Sequence, residues 1–377
     1  MKIQTGAIAK RALEKEYKVS LVHLPQNRIS ISCTSGNGRG DWNRKSFVFP
    51  KEIIIDEHFV EGIALYLGDG DFHRKEKNHT SFTSKDKDIA KHFLDFLRKY
   101  FLIRDEDITF ILKYKKKNDS LRKEWGDALD VNPKKFLVYY AKRNKEEICN
   151  IQVNGAIFRR FFEFLITAVA TSRVLKTKIL RRAFLRGIFA AEGSICIDRE
   201  KKPYIVQIAF STAIHEKMLH SLICQILKEE GIRSRIDYGT KDNSCDIVIT
   251  NWRHYLKLWR IGTFDISNRK KENFERIARN LEIYIELSPS FRRDFFHSLR
   301  LKQKEIAKLI NSWQGNVSRT QKGQILLRLE QIEILLEKSS YSKEELLLHI
   351  KNIRIGSLTK IKQNPEIFAF LKKFKLF

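Results

Sequence analysis

Long apolar runs are missing from this chain of 377 residues. None approaches the ~20 residues that a helix needs to cross a bilayer, and the opening MKIQTGAIAKRALEKEYK lacks the apolar centre of a secretory signal. No membrane partner is expected, and the expected location is intracellular, cytoplasmic or organellar. Cysteine is scarce and scattered: Cys33, Cys149, Cys196, Cys224 and Cys245 are odd in number and form no CxxC, which argues against a disulfide framework or a zinc ribbon. The histidines make no HExxH or other zinc spacing and read as structural or phosphate-facing. Six prolines and abundant lysine suit a thermophile or an AT-rich genome equally.

Acidic side chains are the remaining shortage. Only 45 Asp and Glu stand against 72 Lys and Arg, leaving a net charge of +27 and a pI near 9.8. Such an excess favours a polyanionic partner, because each phosphate neutralised releases condensed counterions; an anionic membrane surface is the competing explanation. The composition is otherwise that of a globular protein, 42% hydrophobic, in a chain long enough for two or three domains.

Residues 184–193, FLRGIFAAEG, form an apolar helix that runs into an acid and then a glycine, and residues 62–70, GIALYLGDG, repeat it. Aligning Gly70 with Gly193 pairs Asp69 with Glu192, Gly68 with Ala191, and Ala64 with Gly187. Small residues four apart share one helix face and let two backbones come closer than the usual ~8–10 Å. Two such helices packed together would bring Asp69 beside Glu192. Carboxylates held that close repel unless a cation sits between them, which is a divalent metal site in outline. Taken singly, each glycine also reads as an ordinary helix C-cap.

The flanks repeat as well. After Gly70 comes a strand and then a helix with Ile89, Phe93, Phe96, Leu97 and Tyr100 on its apolar face; after Gly193 comes a strand and then a helix with Met218, Leu222, Ile226 and Leu227. Alternating strands follow at 108–117 and 136–142 in the first half and at 233–238 and 246–250 in the second, and each half closes with a helix, GAIFRRFFEFL or WRHYLKLWRIG. Helix, hairpin, helix, hairpin, helix, twice over, predicts a pseudo-two-fold molecule with two saddle-like sheets. Lys113, Lys115 and Lys117 fall on one face of their strand, a candidate DNA-facing surface. The basic loop SGNGRGDWNRK offers Arg39 and Arg44 as further backbone contacts, though a solvated surface loop fits it as well.

On the two acid-ended motifs and their repeated flanks, residues 47–287 resemble the LAGLIDADG homing endonucleases of the two-motif, single-chain kind. FLRGIFAAEGSI is similar to that family's signature and GIALYLGDG to a variant of it, with Leu67 and Ala190 where the signature has its first aspartate. The resemblance implies an α+β fold of two αββαββα halves, residues 51–170 and 171–288, with β-saddles on DNA, preceded by a basic extension, 1–50. It implies Asp69 and Glu192 as ligands of Mg²⁺ or Mn²⁺, with the Gly68 and Ala191 carbonyls as added ligands. It also implies a basic residue near each catalytic acid, here Lys270 or Lys271 in the second half and Lys176 or Lys178 in the first. The expected activity is hydrolysis of both strands of a long double-stranded DNA site by a monomeric endonuclease. Intron RNA is a further candidate partner. Without intein splicing residues at its ends, the chain reads as a free-standing, intron-type enzyme. The alternative is a non-catalytic DNA-binding regulator, or an RNA maturase, on the same scaffold.

Beyond residue 289 the composition shifts. KQKEIAKLI and QGNVSRTQKG resemble the helix-turn-helix of Xre-type repressors, whose second helix enters the major groove. This makes Gln314, Asn316, Ser318, Arg319 and Lys322 candidate base readers within an all-α domain, 289–377, ending in a basic, aromatic tail; an ordinary helical hairpin is the plainer reading.

Overall fold

The computed structural model describes residues 2–15, 17–35, 46–71, 78–114, 120–141, 146–171, 173–198, 205–213, 216–239, 244–279, 282–355, 359–362, 369 and 372. The chain forms two compact units: residues 1–194, 209–248 and 261–271, and residues 195–208, 249–260 and 272–377. This division cuts across the boundaries expected at 170/171 and 288/289, because packing joins segments distant in sequence.

The first unit opens with β1 (Lys2–Gln4), α1 (Thr5–Leu13), β2 (Tyr17–Leu24), β3 (Arg28–Ser35), β4 (Ser46–Pro50) and β5 (Glu52–Ile54). β2, β3 and β4 make an antiparallel sheet, and β1 pairs with β5. Far from forming a separate extension, this segment joins the core: Phe49 stacks on Phe158, Phe47 meets the same ring at a tilt, and Phe49 also meets Phe161.

Next come α2 (Glu57–Asp69), β6 (His79–Ser84), α3 (Lys87–Phe101), β7 (Ile108–Tyr114), α4 (Leu121–Leu129), β8 (Phe136–Tyr140), β9 (Ile148–Asn154) and α5 (Ala156–Thr171). Asp56 caps α2 by accepting from the Phe59 amide at 2.9 Å, and every residue from Phe59 to Leu67 is buried. A helix buried on all sides belongs at the centre of its unit, and its one charged member in this span, Glu61, must be paired there. α3 buries the expected face, Ile89, Phe93, Phe96, Leu97 and Tyr100. The sheet runs β6-β9-β7-β8. Its β7 and β8 pair in parallel rather than as the expected hairpin, because α4 intervenes as a crossover, and parallel neighbours need such a connection. Leu121, Trp125 and Leu129, four apart and all buried, are the signal for that helix.

α6 (Lys178–Glu192), β10 (Gly193–Asp198), β11 (Ile205–Ala213), α7 (Lys217–Glu229), β12 (Arg235–Tyr238), β13 (Ser244–Ile249), α8 (Trp252–Ile261) and α9 (Asn268–Arg279) make up the second half. Its strands follow the order β10-β11-β13-β12, and β12 and β13 form the expected antiparallel pair. α7 buries Leu219, His220, Ile223, Ile226 and Leu227, while Met218 is 40% exposed. The apolar face is therefore rotated from the expected one at its N-terminal end.

The second unit also carries β14 (Ile283–Leu287), α10 (Pro289–Ser298), α11 (Gln303–Leu309), α12 (Gln314–Gln321), β15 (Leu327–Arg328), α13 (Leu329–Leu336), α14 (Lys343–Leu348), β16 (Ile350–Ile355) and β17 (Thr359–Lys362). The all-α expectation for 289–377 is corrected here. An antiparallel sheet in the order β15-β14-β16-β17 underlies the helices. Ile283, Ile285 and Leu287 alternate inward in β14, and Ile350, Ile353 and Ile355 are buried in β16. That is β-branched, half-buried strand patterning, which overrides continuation of the helix after Leu348. Most of the expected tail lies outside the described residues. Among the described residues, no helix is long and apolar enough to cross a membrane.

Candidate active site

α2 and α6 pack against each other at the paired small positions. An added Cβ on Gly68 would stand 2.5 Å from the Ala191 Cβ and 2.9 Å from the Glu192 Cγ, and one on Gly187 would stand 2.4 Å from the Glu61 carbonyl and 2.8 Å from the Ala64 Cβ. Such distances leave no room for a side chain, so the helices meet backbone to backbone. One charged device pins their register. Arg186 of α6 donates to Glu61 and to Glu57 of α2, each at 2.5 Å, and His92 lies 3.1 Å from the second Glu61 oxygen.

Each motif helix ends in its acid, and a glycine follows. Neither Gly70 (φ −85°) nor Gly193 (φ −75°) is left-handed, so these are not the C-caps that need positive φ. Space is the requirement instead. A Cβ on Gly70 would meet the Tyr66 carbonyl at 2.3 Å, and one on Gly193 the Phe189 carbonyl at 2.4 Å. In both motifs the chain leaves the acid by turning back over the aromatic residue one helical turn earlier.

The acids sit in a partly buried, crowded field. Burial pushes the Asp69 carboxyl up to about 6, with Asp86 adding to the rise and Lys270 opposing it. Burial likewise pushes Glu192 up to about 8, and the Asp69 charge is the next cause. Lys270, buried at the start of α9, donates through Nζ to the carbonyls of Phe189 (2.9 Å), Ala190 (2.6 Å) and Ala191 (3.0 Å). It thereby caps the negative end of α6. Burial lowers its ammonium to about 8 against the pull of Asp69. The α8–α9 turn is held by Arg269 donating to Asp86 at 2.8 and 2.9 Å and by the Asn268 amide donating to Asp88.

The structure therefore brings Asp69, Glu192, Gly68, Ala191 and Lys270 together. Lys271 instead pairs with Asp265 at 2.9 Å. Lys176 and Lys178 are exposed at the N-terminal end of α6, some 20 Å of helix from Glu192 at ~1.5 Å per residue, so they do not reach the acids. Behind the first motif lies a network that sequence reasoning missed. Tyr66 donates to Asp71 at 2.7 Å, the Ser81 amide donates to the same oxygen at 2.9 Å, and Arg159, 3.7 Å from Asp71, donates to the His79 carbonyl at 3.0 Å.

Two buried carboxylates, the charge of Asp69 raising Glu192, with hard oxygen donors beside them, fit Mg²⁺ or Mn²⁺. Among the described residues no group of three or more His, Cys, Asp or Glu could hold an ion, so backbone carbonyls would complete the ligand set. That of Ala191 already accepts from Lys270.

Among the described residues, the outer face of the β6-β9-β7-β8 sheet carries amides and hydroxyls more than lysines. Asn150 donates to Ser81 (2.6 Å) and Thr83 (2.7 Å), Gln152 to Asn154 (2.8 Å) and Asn154 to Thr109 (2.8 Å). Lys113 shares this face, its backbone paired with Ile148 and Tyr139. Lys115, Lys117, Arg39 and Arg44 lie outside the described residues. The alternation of Asn150, Gln152 and Asn154 along one strand is the legible signal. In the second unit, Ser312 N–H closes α11 on the Ala307 carbonyl at 2.8 Å and Asn311 turns at φ 45°. α12 then exposes Gln314, Arg319 and Lys322, with Asn316 and Ser318 half-buried.

Residues 180–309, from the second motif helix into α11, match the family model for a LAGLIDADG-like domain. Among solved structures, mesophilic variants of the homing endonuclease I-DmoI are similar at 14% identity over 54% of this chain and 94% of that chain, with a TM-score of 0.33. Full-length DUF199/WhiA from Thermatoga maritima is similar at 12% identity over 77% of this chain and 95% of that chain, TM-score 0.33. The I-LtrWI LAGLIDADG homing endonuclease bound to target DNA matches at 13% identity over 58% and 89%, TM-score 0.32. I-DmoI has been solved in complex with DNA and Mn, and with DNA and Ca. No curated protein matches the sequence.

Proposed function

We propose that the chain is a site-specific, divalent-metal-dependent DNA endonuclease of the intron-encoded type, with a DNA-binding helix-turn-helix module appended. The observation that carries this reading is the meeting of Asp69 and Glu192 at the ends of two helices packed backbone to backbone. Asp69 and Glu192 would hold Mg²⁺ or Mn²⁺ with help from the Gly68 and Ala191 carbonyls. Bound there, a divalent ion supplies an acidified water and charge neutralisation for a phosphodiester. The chain's own residues do the rest. Lys270 fixes the end of α6 and so the position of Glu192; Asp71, Tyr66 and Arg159 fix the strand that leaves Asp69; and the amide ladder of Asn150, Gln152 and Asn154 matches the donor and acceptor edges of bases in a major groove.

The test is a plasmid carrying the uninterrupted host sequence, incubated with the protein and Mg²⁺. Linear product is expected, and Asp69→Asn or Glu192→Gln should bind as wild type without cutting. Tight binding by the wild type with no cleavage would replace this reading with that of a non-catalytic DNA-binding regulator.

A further inference from the structure

The second unit contains a cleft of about 940 Å³, walled by α10, the turn that follows it, Gln321 at the end of α12 and the turn after α13. Arg292, Arg293, His297, Arg300 and Lys338 line it, and no Asp or Glu does. Several guanidinium groups elsewhere face acids, as Arg181, Arg186 and Arg269 each do within 3 Å of a carboxylate, whereas this cleft gathers five basic side chains and no acid. Arg293, Arg300 and Lys338 have no ion-pair partner among the described residues. Cations that line one cleft without counter-charge repel one another, and an anion relieves that repulsion.

The backbone is adapted to this arrangement. Arg300 follows α10 at φ 51°, the left-handed position where glycine is ordinarily cheapest, yet a guanidinium stands there. Arg292 donates to the Gln321 carbonyl at 3.2 Å, tying the cleft to the end of α12. Gly323 (φ +76°) leaves the room this needs, since a Cβ there would lie 2.5 Å from the Arg292 guanidinium. Of the rings in the lining, Phe296 is 6% exposed and only the His297 imidazole is open to solvent, beside four other basic side chains. That favours a bare phosphodiester chain over a free nucleotide.

We propose that this cleft clamps the phosphodiester backbone of DNA at the C-terminal end of α12, while the exposed side chains of α12 face the bases. This rests on reading the C-terminal helices as a DNA-binding module. Eight helical residues span ~12 Å, about the width of a major groove. A helix whose N-terminal residues meet bases thus ends at the groove's rim, where the phosphates run. Arginine forks suit phosphate oxygens bidentately.

The test uses the full chain and the duplex it selects from a random pool, with EDTA present, measuring affinity against salt by fluorescence anisotropy. The triple variant Arg293→Ala/Arg300→Ala/Lys338→Ala is expected to lower the log–log salt slope by about 2.7, at ~0.9 for each phosphate that is no longer neutralised. The matched triple Lys10→Ala/Arg11→Ala/Lys15→Ala on and beyond α1 should lower it far less. Equal effects of the two triples, or none of the first, overturn the clamp. So does a first triple that keeps its DNA slope yet fails to bind inorganic pyrophosphate by calorimetry where the wild type does, because the cleft then serves a free phosphorylated ligand. Lys338→Glu alone, in an exposed turn, makes the test independent of any folding defect and should reduce the slope by at least ~0.9. Gln314→Ala/Arg319→Ala separates the two readings. If it weakens binding and the cleft variants do not, only the clamp fails; if neither set matters, the DNA-binding module fails with it.

Discussion

Gly187→Ala adds one methyl group to the centre of the α2–α6 contact. Its nearest neighbour would be the Glu61 carbonyl oxygen at 2.4 Å, with the Ala64 Cβ at 2.8 Å. Overpacking a filled interior costs ~1–3 kcal/mol, and the upper end applies because the obstacle is buried backbone that cannot rotate aside. Alanine offsets ~1 kcal/mol of that through helix propensity. The net is a destabilisation of about 2 kcal/mol, or a fall in Tm of about 4–8 °C for a unit of this size. Gly68→Ala meets only side-chain atoms, the Ala191 Cβ at 2.5 Å and the Glu192 Cγ at 2.9 Å. It should cost less, and Ala191→Gly should rescue it by a favourable coupling of ~1 kcal/mol in a double-mutant cycle. Ala64→Gly should rescue Gly187→Ala less well, because the carbonyl remains. Chemical denaturation of the four single and two double variants reads these values directly. If both glycine substitutions instead stabilise by the ~1 kcal/mol that propensity alone supplies, the two helices do not meet backbone to backbone. Cleavage should fall more than DNA binding in Gly187→Ala, since parting the helices also parts Asp69 from Glu192.

Stability of the metal-free protein should depend on pH through the same acids. Glu192 titrates at about 8 instead of 4.5, so the unfolded chain releases that proton first and stability falls as pH rises through this window; Mg²⁺ should reverse the trend and Asp69→Asn/Glu192→Gln should flatten it, whereas a profile indifferent to both would refute a shared site. Arg186→Ala leaves Glu61, 8% exposed, with His92 as its remaining partner. Breaking a buried pair costs ~3–5 kcal/mol, and a shift in denaturant midpoint worth under ~1 kcal/mol would show that the pair does not pin the helices. Lys270→Met should keep DNA binding and lose most cleavage, with Lys270→Arg intermediate; a fully active Lys270→Met would remove Lys270 from the positioning of Glu192. Tyr66→Phe strips a buried hydrogen bond from Asp71 and should cost ~1–3 kcal/mol in thermal unfolding, the network being absent if it is neutral.

The parts of this protein legible in its sequence are those with a repeating local signature. Ala64, Gly68, Gly187 and Ala191 at four-residue spacing, each pair upstream of an acid, mark two helices and their mutual face, because helical periodicity writes packing into sequence. Leu121, Trp125 and Leu129 carry the same kind of signal, yet their place between two alternating strands reads as the loop of a hairpin, which hides the helix at 121–129. The strand Ile350–Ile355 reads as helix because the run of leucines before it is helical and the switch of period occurs within a few residues. Lysines cannot be assigned by pattern at all. They are so frequent that only a fold could separate Lys270, turned onto three carbonyls, from Lys271, which faces Asp265.

Sequence alone determined the acids, the small residues that let the helices meet, and the positive charge that calls for a polyanion. Those properties are carried by single side chains and their spacing. Which basic residue serves the acids, which glycines give way to an aromatic ring, and where cations gather without partners were decided only in three dimensions. Those properties depend on the folded path of the chain, the first of them on segments about two hundred residues apart, those of Asp69 and Lys270.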